Sequence, residues 1–374
     1  MNRTRAYSHH SQYRLLPQAT NTAGFLTPLQ KQILRCGPKY VYPNYREALK
    51  RLPNEVKVMT DKIMDKFREQ PNQPKFVRPI IDDFSGKIKQ IIQERLVEND
   101  LSHRLNYAST SIALKHLLDK QKNKEVVFRQ TDKSKVFNLD TPSNYARKSD
   151  DYMAKTDAYT EISEHPLKQM IDSTNKLLRD LLGQKRIPAS VFEKLKPPQD
   201  CELPHLYYNP KDHKPGVPLR PIVAGIKSPI TPISKYLDKT LRPIFEKYTQ
   251  HYTLQNTYVF LNHLDRHPMT DDTILATFDI TDLYTMIPQK ESIMALCRFL
   301  AKCGKSKINN ISIDTFAKLS RHVLDNAYFA YENRLFKQIK GGPMGFAITQ
   351  ILADVYMFEW EKDILAQQTA EKQL

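Results

Sequence analysis

The sequence has few cysteines, and they lie far apart. Cys36, Cys201, Cys297 and Cys303 form no Cys-x-x-Cys pair and have no histidine-rich set of partners. A structural zinc site needs cysteine and histidine ligands at short, regular spacings, so this pattern gives no indication of zinc. We therefore expect reduced, buried thiols, as in an intracellular protein.

The sequence also lacks a long apolar run. It has no stretch of about 18 apolar residues and no hydrophobic segment of the signal-peptide type. A membrane span is therefore not supported, and we expect no membrane partner. The chain contains neither an internal repeat nor a long low-complexity tract.

Acidic residues are in the minority. The chain has 57 Lys and Arg against 41 Asp and Glu, which gives a net charge of +16, and it also has 19 Tyr and 16 Phe. Basic side chains neutralise phosphates, and aromatic rings stack on unpaired bases. This composition predicts a nucleic-acid partner, although a basic protein without such a partner remains an alternative. The basic cluster at residues 120–124 would aid nuclear import, or else it forms a solvated helix face.

A chain of 374 residues is long enough for about two domains. The pattern divides it into a disordered basic tail, a mainly helical region, a connecting region that leads into the C-terminal region, and that C-terminal region, at residues 1–24, 25–125, 126–200 and 201–374. Within the helical region we predict two helices at residues 45–52 and 56–67, separated by Pro53. Within the connecting region we predict a strand, a helix and a Pro-rich linker, at residues 126–128, 165–184 and 194–200.

An acid and an aromatic follow a strand-like pattern. Apolar side chains recur at every second position, at Ile274, Ala276, Phe278 and Ile280. This alternation predicts a strand with one buried face and Asp279 at its end. A carboxylate there can hold a hard cation such as Mg²⁺, with the carbonyl oxygen of Ile280 as a neighbouring ligand, and Tyr284 can lie under the sugar of a nucleotide. A lone strand-end aspartate is more often only a turn cap, so this segment alone does not show whether Asp279 is a metal ligand.

A basic hairpin is predicted before that segment. Residues 207–223 contain two strand-like stretches around Pro215-Gly216 and carry Lys211, Lys214 and Arg220. Lysine as a point charge and arginine as a bidentate fork can together clamp a triphosphate. A solvated charged hairpin is the alternative.

A helix and then a glycine loop follow the acidic segment. Pro288 suits the first turn of a helix that ends at Gly304, with a shared face formed by Ile293, Leu296, Cys297, Leu300 and Ala301. Residues 326–339 predict a second hairpin, and the loop at residues 340–345 contains three glycines, which let backbone approach a ligand closely. A buried helix face is predicted after the loop, at Ile348, Ile351, Leu352, Val355 and Tyr356. Without other evidence, a glycine loop before a helix is only a weak indication of a ligand site and is usually just a turn.

Taken together and in this order, these segments resemble the reverse transcriptase of Penelope-like retroelements, a group usually placed near telomerase reverse transcriptase. Residues 210–214 and 218–223 look like the first fingers motifs, residues 278–288 look like palm motif A, and residues 338–345 with 352–357 look like motif B. The run at residues 131–140, with Asp157-Ala158-Tyr159, resembles the region before the fingers. The resemblance covers roughly residues 25–365 and is strongest from residue 205 onward.

The resemblance implies a fold, an activity and partners. The fold would be α/β of the α+β kind, a right-hand polymerase whose fingers and partial palm occupy residues 201–374, after an N-terminal helical domain and without a thumb. The activity would be RNA-directed DNA polymerisation by two Mg²⁺ ions. The partners would be an RNA template, a DNA primer and deoxynucleoside triphosphates, and the location would be nuclear.

The resemblance also implies residue roles. Asp279 would be the first catalytic metal ligand, Ile280 would lend its backbone oxygen, and Tyr284 would be the steric gate against a 2′-hydroxyl. Phosphates would be bound by Lys211 and Arg220, with Lys214 as an auxiliary cation. The floor against template and nucleotide would be formed by Gln338, Pro343, Met344 and Gly345. Asp282 lies on the opposite side of the predicted strand, so a capping role is the better interpretation.

Two departures from the family pattern affect the expected activity. Motif B normally continues with Ser-Pro, whereas Phe346-Ala347 stands here, and no Asp-Asp pair occurs downstream of Asp279. Two-metal phosphoryl transfer needs carboxylates that hold two cations about 4 Å apart, which one aspartate cannot do. We therefore expect an N-terminal piece of a reverse transcriptase without synthetic activity: a truncated copy, a partial gene model or a domesticated remnant. The alternatives are a catalytically silent nucleic-acid-binding protein and, more remotely, an unrelated metal-dependent nuclease or primase.

Overall fold

A computed structural model describes residues 20–21, 26–35, 45–68, 77–250, 253–254, 256–266, 270, 273–274, 277–304 and 306–370. These residues form a mixture of helices and strands, as the predicted α+β class requires. The chain divides into two compact units. The first contains Met1–Ala146 and Pro210–Pro218, and the second contains Arg147–Asn209 and Leu219–Leu374. The four sequence regions given above stay a prediction.

The first unit combines three helices with a small sheet. Its helices are α1 (Pro28–Arg35), α2 (Tyr45–Arg68) and α3 (Val77–Lys122), and both α1 and α2 pack against α3. Its strands are β1 (Thr20–Asn21), β2 (Val127–Gln130) and β3 (Phe137–Asp140), in the order β1-β3-β2 with β2 antiparallel to β3. Apolar side chains from both kinds of element share one buried cluster, at Leu26, Leu34, Leu117, Val126 and Leu139.

The predicted helix break at Pro53 is wrong. Helix α2 runs through Pro53 without interruption. An internal proline removes a backbone hydrogen bond and costs about 3 kcal/mol. Contacts on both sides of Pro53 oppose this cost, because Leu52 is buried and the Thr60 hydroxyl lies 2.7 Å from that of Ser85 on α3. Tertiary packing therefore overrides the local preference.

The second unit is built on a five-stranded sheet. Its strands are β4 (Tyr159–Ile162), β5 (His205–Pro210), β6 (Leu219–Ala224), β9 (Tyr328–Tyr331) and β10 (Arg334–Gln338), in the order β4-β10-β9-β5-β6. A separate antiparallel pair joins β7 (Lys307–Ile308) to β8 (Ile311–Ser312). The strand pair β4–β10 and the hairpin β9–β10 are antiparallel, whereas β5 pairs parallel to β9.

Most of the helices belong to the second unit, although the helix at Pro142–Thr156 enters that unit only from Arg147 onward. They are α4 (Pro142–Thr156), α5 (Leu167–Gly183), α6 (Ala189–Leu195), α7 (Thr231–Thr249), α8 (Thr257–Leu264), α9 (Leu283–Met286), α10 (Gln289–Lys302), α11 (Ile313–Asp325) and α12 (Ala347–Ala370). Helix α7 packs against α11 and α12, and α10 packs against the same two helices. Their shared interior contains Leu237, Leu241, Phe299, Leu300, Phe316, Leu319, Ile348 and Ile351, all nearly inaccessible to solvent.

Both predicted hairpins are confirmed. The first is β5–β6, and the second is β9–β10, whose turn residues Glu332 and Asn333 have φ of 46° and 64°. Two successive left-handed residues match the right-handed twist of the flanking strands, as in a type I′ turn. The helix predicted after the glycine loop is also confirmed, because Ile348, Ile351, Leu352 and Val355 are buried on α12, whereas Tyr356, the fifth predicted member of the face, is only partly buried.

The strand predicted at residues 274–280 is wrong where the structure describes it. Residues 273–274 and 277–280 belong to no strand, and the side chains of Ile274 and Phe278 are 87% and 73% exposed. A strand needs a neighbour for its backbone N–H and C=O groups. None of the described strands pairs with this segment, so alternation alone did not produce a strand.

Helix α10 and the cysteines differ from prediction in detail. Helix α10 follows Pro288, and its predicted face is buried at Ile293, Leu296 and Leu300, whereas Cys297 is partly exposed and Ala301 is exposed. Cys201, Cys297 and Cys303 are free thiols, but all three are partly exposed rather than buried, and Cys36 lies outside the described residues. None of the described helices carries an apolar stretch long enough to cross a membrane.

Candidate functional site

One cavity of the second unit is lined by three separate parts of the sequence. Its volume is about 350 Å³. Its walls come from β6, from α9 and from the segment that joins the glycine loop to α12, through Arg220, Ile222, Tyr284, Met344, Gly345, Phe346, Ala347, Thr349 and Gln350. Four residues with predicted nucleotide roles therefore share one cavity: Arg220, Tyr284, Met344 and Gly345. We call it the Arg220 cavity.

Strand β6 presents Arg220 to the cavity. Successive side chains of β6 alternate between buried and partly exposed, with Leu219 and Val223 in the core. A period of two therefore puts Arg220 and Ile222 on the same, cavity-lining face. The guanidinium provides five N–H donors in a rigid fork.

Helix α9 presents Tyr284 from another side. Burial raises the pKa of the Tyr284 hydroxyl, and the negative charge of Asp354 raises it further, while Arg220 and Arg242 oppose the shift. Tyr284 therefore remains a neutral hydroxyl at physiological pH. The residue is partly exposed, so its ring offers a flat surface to the cavity.

The first two glycines of the loop hold the backbone of α9. Gly341 has φ of +62°, and a Cβ there would collide with the carbonyl oxygen of Tyr284. Gly342 N–H donates to that oxygen at 2.8 Å, and Gly341 N–H donates to the oxygen of Ile287 at 2.9 Å. Only glycine allows such a close approach in this conformation.

The last glycine docks the loop onto β6. Gly345 has φ of +129°, and a Cβ there would collide with the carbonyl oxygen of Val223. Val223 N–H donates to the oxygen of Met344 at 2.6 Å. The loop is thus fixed between α9 and β6, which explains why residues distant in sequence converge on one cavity.

Phe346 stands where the resemblance predicts a serine. Its ring packs over Gly225. Its side chain is buried, and the ring occupies the position that a Cβ on Gly225 would take. The expected polar residue is therefore replaced by an apolar wall, and Gly225 supplies the room for it. No local pattern in the sequence pairs these two residues.

The first turn of α12 has protein partners for several of its donors. Ile348 N–H donates to the hydroxyl of Ser234 on α7 at 3.1 Å, and Thr349 N–H donates to the oxygen of Phe346 at 3.1 Å. Pro343 is buried, and its oxygen accepts from the hydroxyl of Thr349 at 3.0 Å. Pro343 thus contacts the first turn of α12 but does not line the cavity, and its predicted role stays a prediction.

The predicted metal ligands lie outside the Arg220 cavity lining. Asp279 is exposed, and Ile280 is 37% exposed. In the described part of the chain, no three His, Cys, Asp or Glu residues are grouped closely enough to hold a metal ion. A two-metal centre needs several shared carboxylates. The assignment of Asp279 and Ile280 as Mg²⁺ ligands stays a prediction.

Asp282 occupies the N-cap position of α9, but its side chain caps no backbone N–H. The residue is left-handed, with φ of 53°, and its carboxylate lies 3.0 Å from the ammonium of Lys155. Its backbone oxygen, rather than its carboxylate, accepts from Thr285 N–H at 3.0 Å. The predicted capping role of Asp282 is therefore wrong, because its carboxylate forms an ion pair with Lys155 instead of accepting from a backbone N–H.

The remaining predicted residues are not part of the cavity lining. Gln338 is buried at the end of β10, and its amide donates to the oxygen of Lys340 at 2.8 Å. Lys211 and Lys214 belong to the first unit, in the connection between β5 and β6. A backbone hydrogen bond closes that connection, because Lys211 N–H donates to the oxygen of Pro218 at 2.8 Å. Their predicted roles stay predictions.

A second cavity adjoins the first through a shared lining residue. Its volume is about 640 Å³, and it is lined mainly by α7 and α12. Gln350 lines both cavities. Arg242 forms ion pairs there with Asp238 at 2.6 Å and with Asp354 at 3.6 Å, and burial raises the pKa of the Asp354 carboxyl.

Sequence reasoning missed several lining residues. Ile222 was detectable, because it lies two positions after Arg220 on a predicted strand. Thr349 and Gln350 lie in the first turn of α12, but apolar periodicity cannot mark polar residues. Arg242 and Asp354 carry no local signal, since their ion pair joins two helices that are distant in sequence.

Comparison with known proteins adds no assignment. No protein-family model matches the chain, and the search of curated proteins gives no match. The functional argument therefore depends on the site itself.

Proposed function

We propose that this chain forms the fingers and part of the palm of a reverse transcriptase of the Penelope-like type, and that it binds a nucleotide together with a primer and template. One observation carries the proposal: Arg220, Tyr284, Met344 and Gly345, far apart in sequence, line a single cavity. These are the residues to which the family resemblance assigns contacts with a nucleotide.

The chemistry of the Arg220 cavity suits a nucleoside triphosphate. An arginine fork binds phosphate oxygens through two parallel hydrogen bonds. The Tyr284 ring offers a flat surface for a sugar, and the glycine loop allows a ligand to approach the backbone. A volume of about 350 Å³ lies within the range of roughly 300–1,000 Å³ that small-molecule sites occupy.

The two candidate functions differ in whether this polypeptide itself performs synthesis. Two-metal phosphoryl transfer needs carboxylates that hold two cations about 4 Å apart, and no Asp-Asp pair follows Asp279 in this sequence. The second candidate function is therefore a nucleic-acid-binding protein that performs no phosphoryl transfer of its own. Both candidates share nucleotide and template contacts and differ only in catalysis.

A binding experiment tests the shared part of the proposal. Radiolabelled dATP is added with Mg²⁺ and an RNA template whose next base is uracil, annealed to a dideoxy-terminated DNA primer. Equilibrium dialysis then gives the dissociation constant. We expect Arg220→Ala to weaken dATP binding by about 10- to 100-fold, the value of losing charge-assisted hydrogen bonds.

Arg334→Ala is the matched control for that experiment. Arg334 lies on β10 of the same sheet, forms an exposed ion pair with Glu161 and does not line the cavity. Its substitution should leave dATP binding unchanged. Equal losses in both variants, or no dATP binding by the wild type, would contradict the proposal.

Primer extension separates the two candidates. With an unblocked primer, all four deoxynucleotides and Mg²⁺, we expect no extension by this polypeptide. Extension that disappears in Asp279→Ala would show that the chain is itself a polymerase and would exclude the silent alternative.

A further inference from the structure

We propose that Tyr152 and Lys155 of α4, acting through Thr285 and Asp282, are positioning residues that set the angle of Tyr284 and hence the discrimination between deoxyribose and ribose. This inference rests on the proposed function, because it assigns a determinant of sugar specificity at that same site. Neither residue of α4 lines the cavity.

Helix α4 holds the turn before Tyr284 at two points. The hydroxyl of Tyr152 lies 3.1 Å from that of Thr285, and the ammonium of Lys155 donates to the carboxylate of Asp282 at 3.0 Å. Tyr152 and Lys155 are three positions apart, so they share one face of the helix. The two contacts bracket Leu283 and Tyr284 in the sequence.

Thr285 and Asp282 are more deeply buried than the members of an ordinary surface ion pair. Thr285 is 1% exposed, and the Asp282 side chain is 9% exposed. Burial raises the pKa of the Tyr152 hydroxyl to about 12, so that group remains a hydrogen-bond donor at physiological pH. Only the Lys155 end is open to solvent, at 64% exposure of its side chain.

The backbone conformation of Asp282 explains what its ion pair with Lys155 stabilises. A left-handed conformation is unfavourable for a non-glycine residue, although aspartate and asparagine tolerate it better than most. The carbonyl of Asp282 accepts from Thr285 N–H, from Met286 N–H at 3.1 Å, and from the Thr285 hydroxyl at 2.9 Å. The ion pair with Lys155 therefore holds a strained residue that begins the turn carrying Tyr284.

The glycine loop holds the same turn through two further hydrogen bonds. Gly342 N–H donates to the Tyr284 oxygen, and Gly341 N–H donates to the Ile287 oxygen. Contacts from both α4 and the loop therefore fix the backbone that carries Tyr284. In this proposal the fixed backbone limits the directions that the ring can take, and the ring direction decides whether a 2′-hydroxyl fits beside it.

The test measures a ratio rather than a single affinity. Dissociation constants for radiolabelled dATP and ATP are determined with the same blocked RNA–DNA primer-template and Mg²⁺. A general loss of stability weakens both nucleotides alike and leaves the ratio unchanged. A misdirected Tyr284 lowers the ratio, because only the 2′-hydroxyl distinguishes the two ligands.

We expect the wild type to favour dATP over ATP by about 10- to 100-fold, the usual scale for rejecting one extra group. Lys155→Met, Asp282→Asn and Tyr152→Phe should each bring this ratio toward one, and Lys155→Arg should keep it because it retains the cation. Asp282→Asn keeps a residue that tolerates the left-handed conformation, and Tyr152→Phe removes one oxygen only, so both should fold.

Arg147→Ala is the control on α4 itself. It removes an exposed ion pair with Asp151 on the same helix and should leave the ratio at the wild-type value. A wild type that discriminates, with all three variants discriminating equally well, would overturn the inference and leave the proposed function standing. A wild type that binds neither nucleotide would overturn both.

Discussion

At the scale of single residues, glycines decide which elements meet. Gly341 and Gly345 have positive φ and touch the backbones of α9 and β6 respectively. A side chain at either position would push the loop away from its neighbour. The convergence of Arg220 and Tyr284 on one cavity therefore depends on the absence of a side chain at Gly341 and at Gly345.

Gly225 and Phe346 form a pair that can be tested by a double-mutant cycle. The ring of Phe346 occupies the position of a Cβ on Gly225. We expect Gly225→Ala to destabilise the protein by about 1–3 kcal/mol through overpacking, and Phe346→Ala to cost about 3–5 kcal/mol through a cavity. In the double variant the added methyl group occupies space that the ring has left, so the two costs should not add.

Urea unfolding measures the free energies in that cycle. Gly183→Ala is the control, because nothing lies within 4 Å of a Cβ built there. It should change the free energy of unfolding by less than about 1 kcal/mol. Strict additivity of the Gly225 and Phe346 costs would show that the two residues do not share the same space.

At the scale of elements, a buried histidine joins α5 to α11. His322 Nε2 lies 2.8 Å from the Thr174 hydroxyl, which itself donates to the Met170 oxygen. Nδ1 lies 3.3 Å from the amide nitrogen of Asn326, which is a donor. Nε2 therefore carries the hydrogen and Nδ1 accepts. A second ring proton would face a donor, so the site favours neutral imidazole.

This arrangement predicts a loss of stability in mild acid. Burial lowers the pKa of His322 from 6.5 to about 4. The unfolded chain takes up the proton near its ordinary pKa, whereas the folded protein resists it. The stabilisation is thus complete above about pH 6.5 and is lost as the pH falls toward 4, amounting to about 2 kcal/mol between pH 8 and pH 5.

Urea unfolding of the wild type and of His322→Gln at pH 8, 6.5 and 5 checks this prediction. Glutamine offers an N–H near the position of Nε2 but does not titrate. Carboxylates contribute to both proteins alike, so the difference between the two isolates the histidine. Identical pH dependences would mean that His322 does not oppose its own protonation.

The elements also show what a sequence can and cannot predict. The two hairpins and the buried face of α12 follow from local periodicity and turn residues, and all three are present. The strand at residues 274–280 has equally good alternation, yet its described residues form none, because a strand also depends on a partner elsewhere in the chain. Pro53 fails as a helix breaker for a related reason, since packing on α3 is not local.

The candidate site was predictable to a similar degree. Arg220, Tyr284, Met344 and Gly345 could be named from motifs, and the structure brings all four to one cavity. The contacts that hold them, such as Tyr152 with Thr285 and Gly225 with Phe346, join residues more than a hundred positions apart. No local pattern encodes such pairs, so they become visible only in the fold.

At the scale of the whole molecule, charge is the dominant property. A net charge of +16 predicts attraction to any polyanion, so binding to RNA alone would say little about a site. The salt dependence of RNA binding is more informative about the number of phosphate contacts. Each phosphate that a lysine or arginine neutralises releases counterions, and the slope of log K against log salt counts those contacts.

We expect RNA binding to fall by about 100-fold between 50 and 200 mM salt, which corresponds to roughly four to six phosphate contacts on a single strand. If Lys211 and Lys214 are among them, Lys211→Ala/Lys214→Ala should reduce the slope by about one to two units. Fluorescence anisotropy of a labelled RNA over a salt series gives both quantities.

A matched pair of lysines separates site from net charge in that experiment. Lys50→Ala/Lys87→Ala removes the same two charges, but these lysines are exposed and form ion pairs with Glu47 and Asp83 on their own helices. If phosphate contacts are made by residues of the β5–β6 connection, the control pair should keep the wild-type slope, because that slope counts only the cations that contact phosphates. Equal reductions in the two double variants would mean that RNA follows total charge, and the phosphate role predicted for Lys211 and Lys214 would then be wrong.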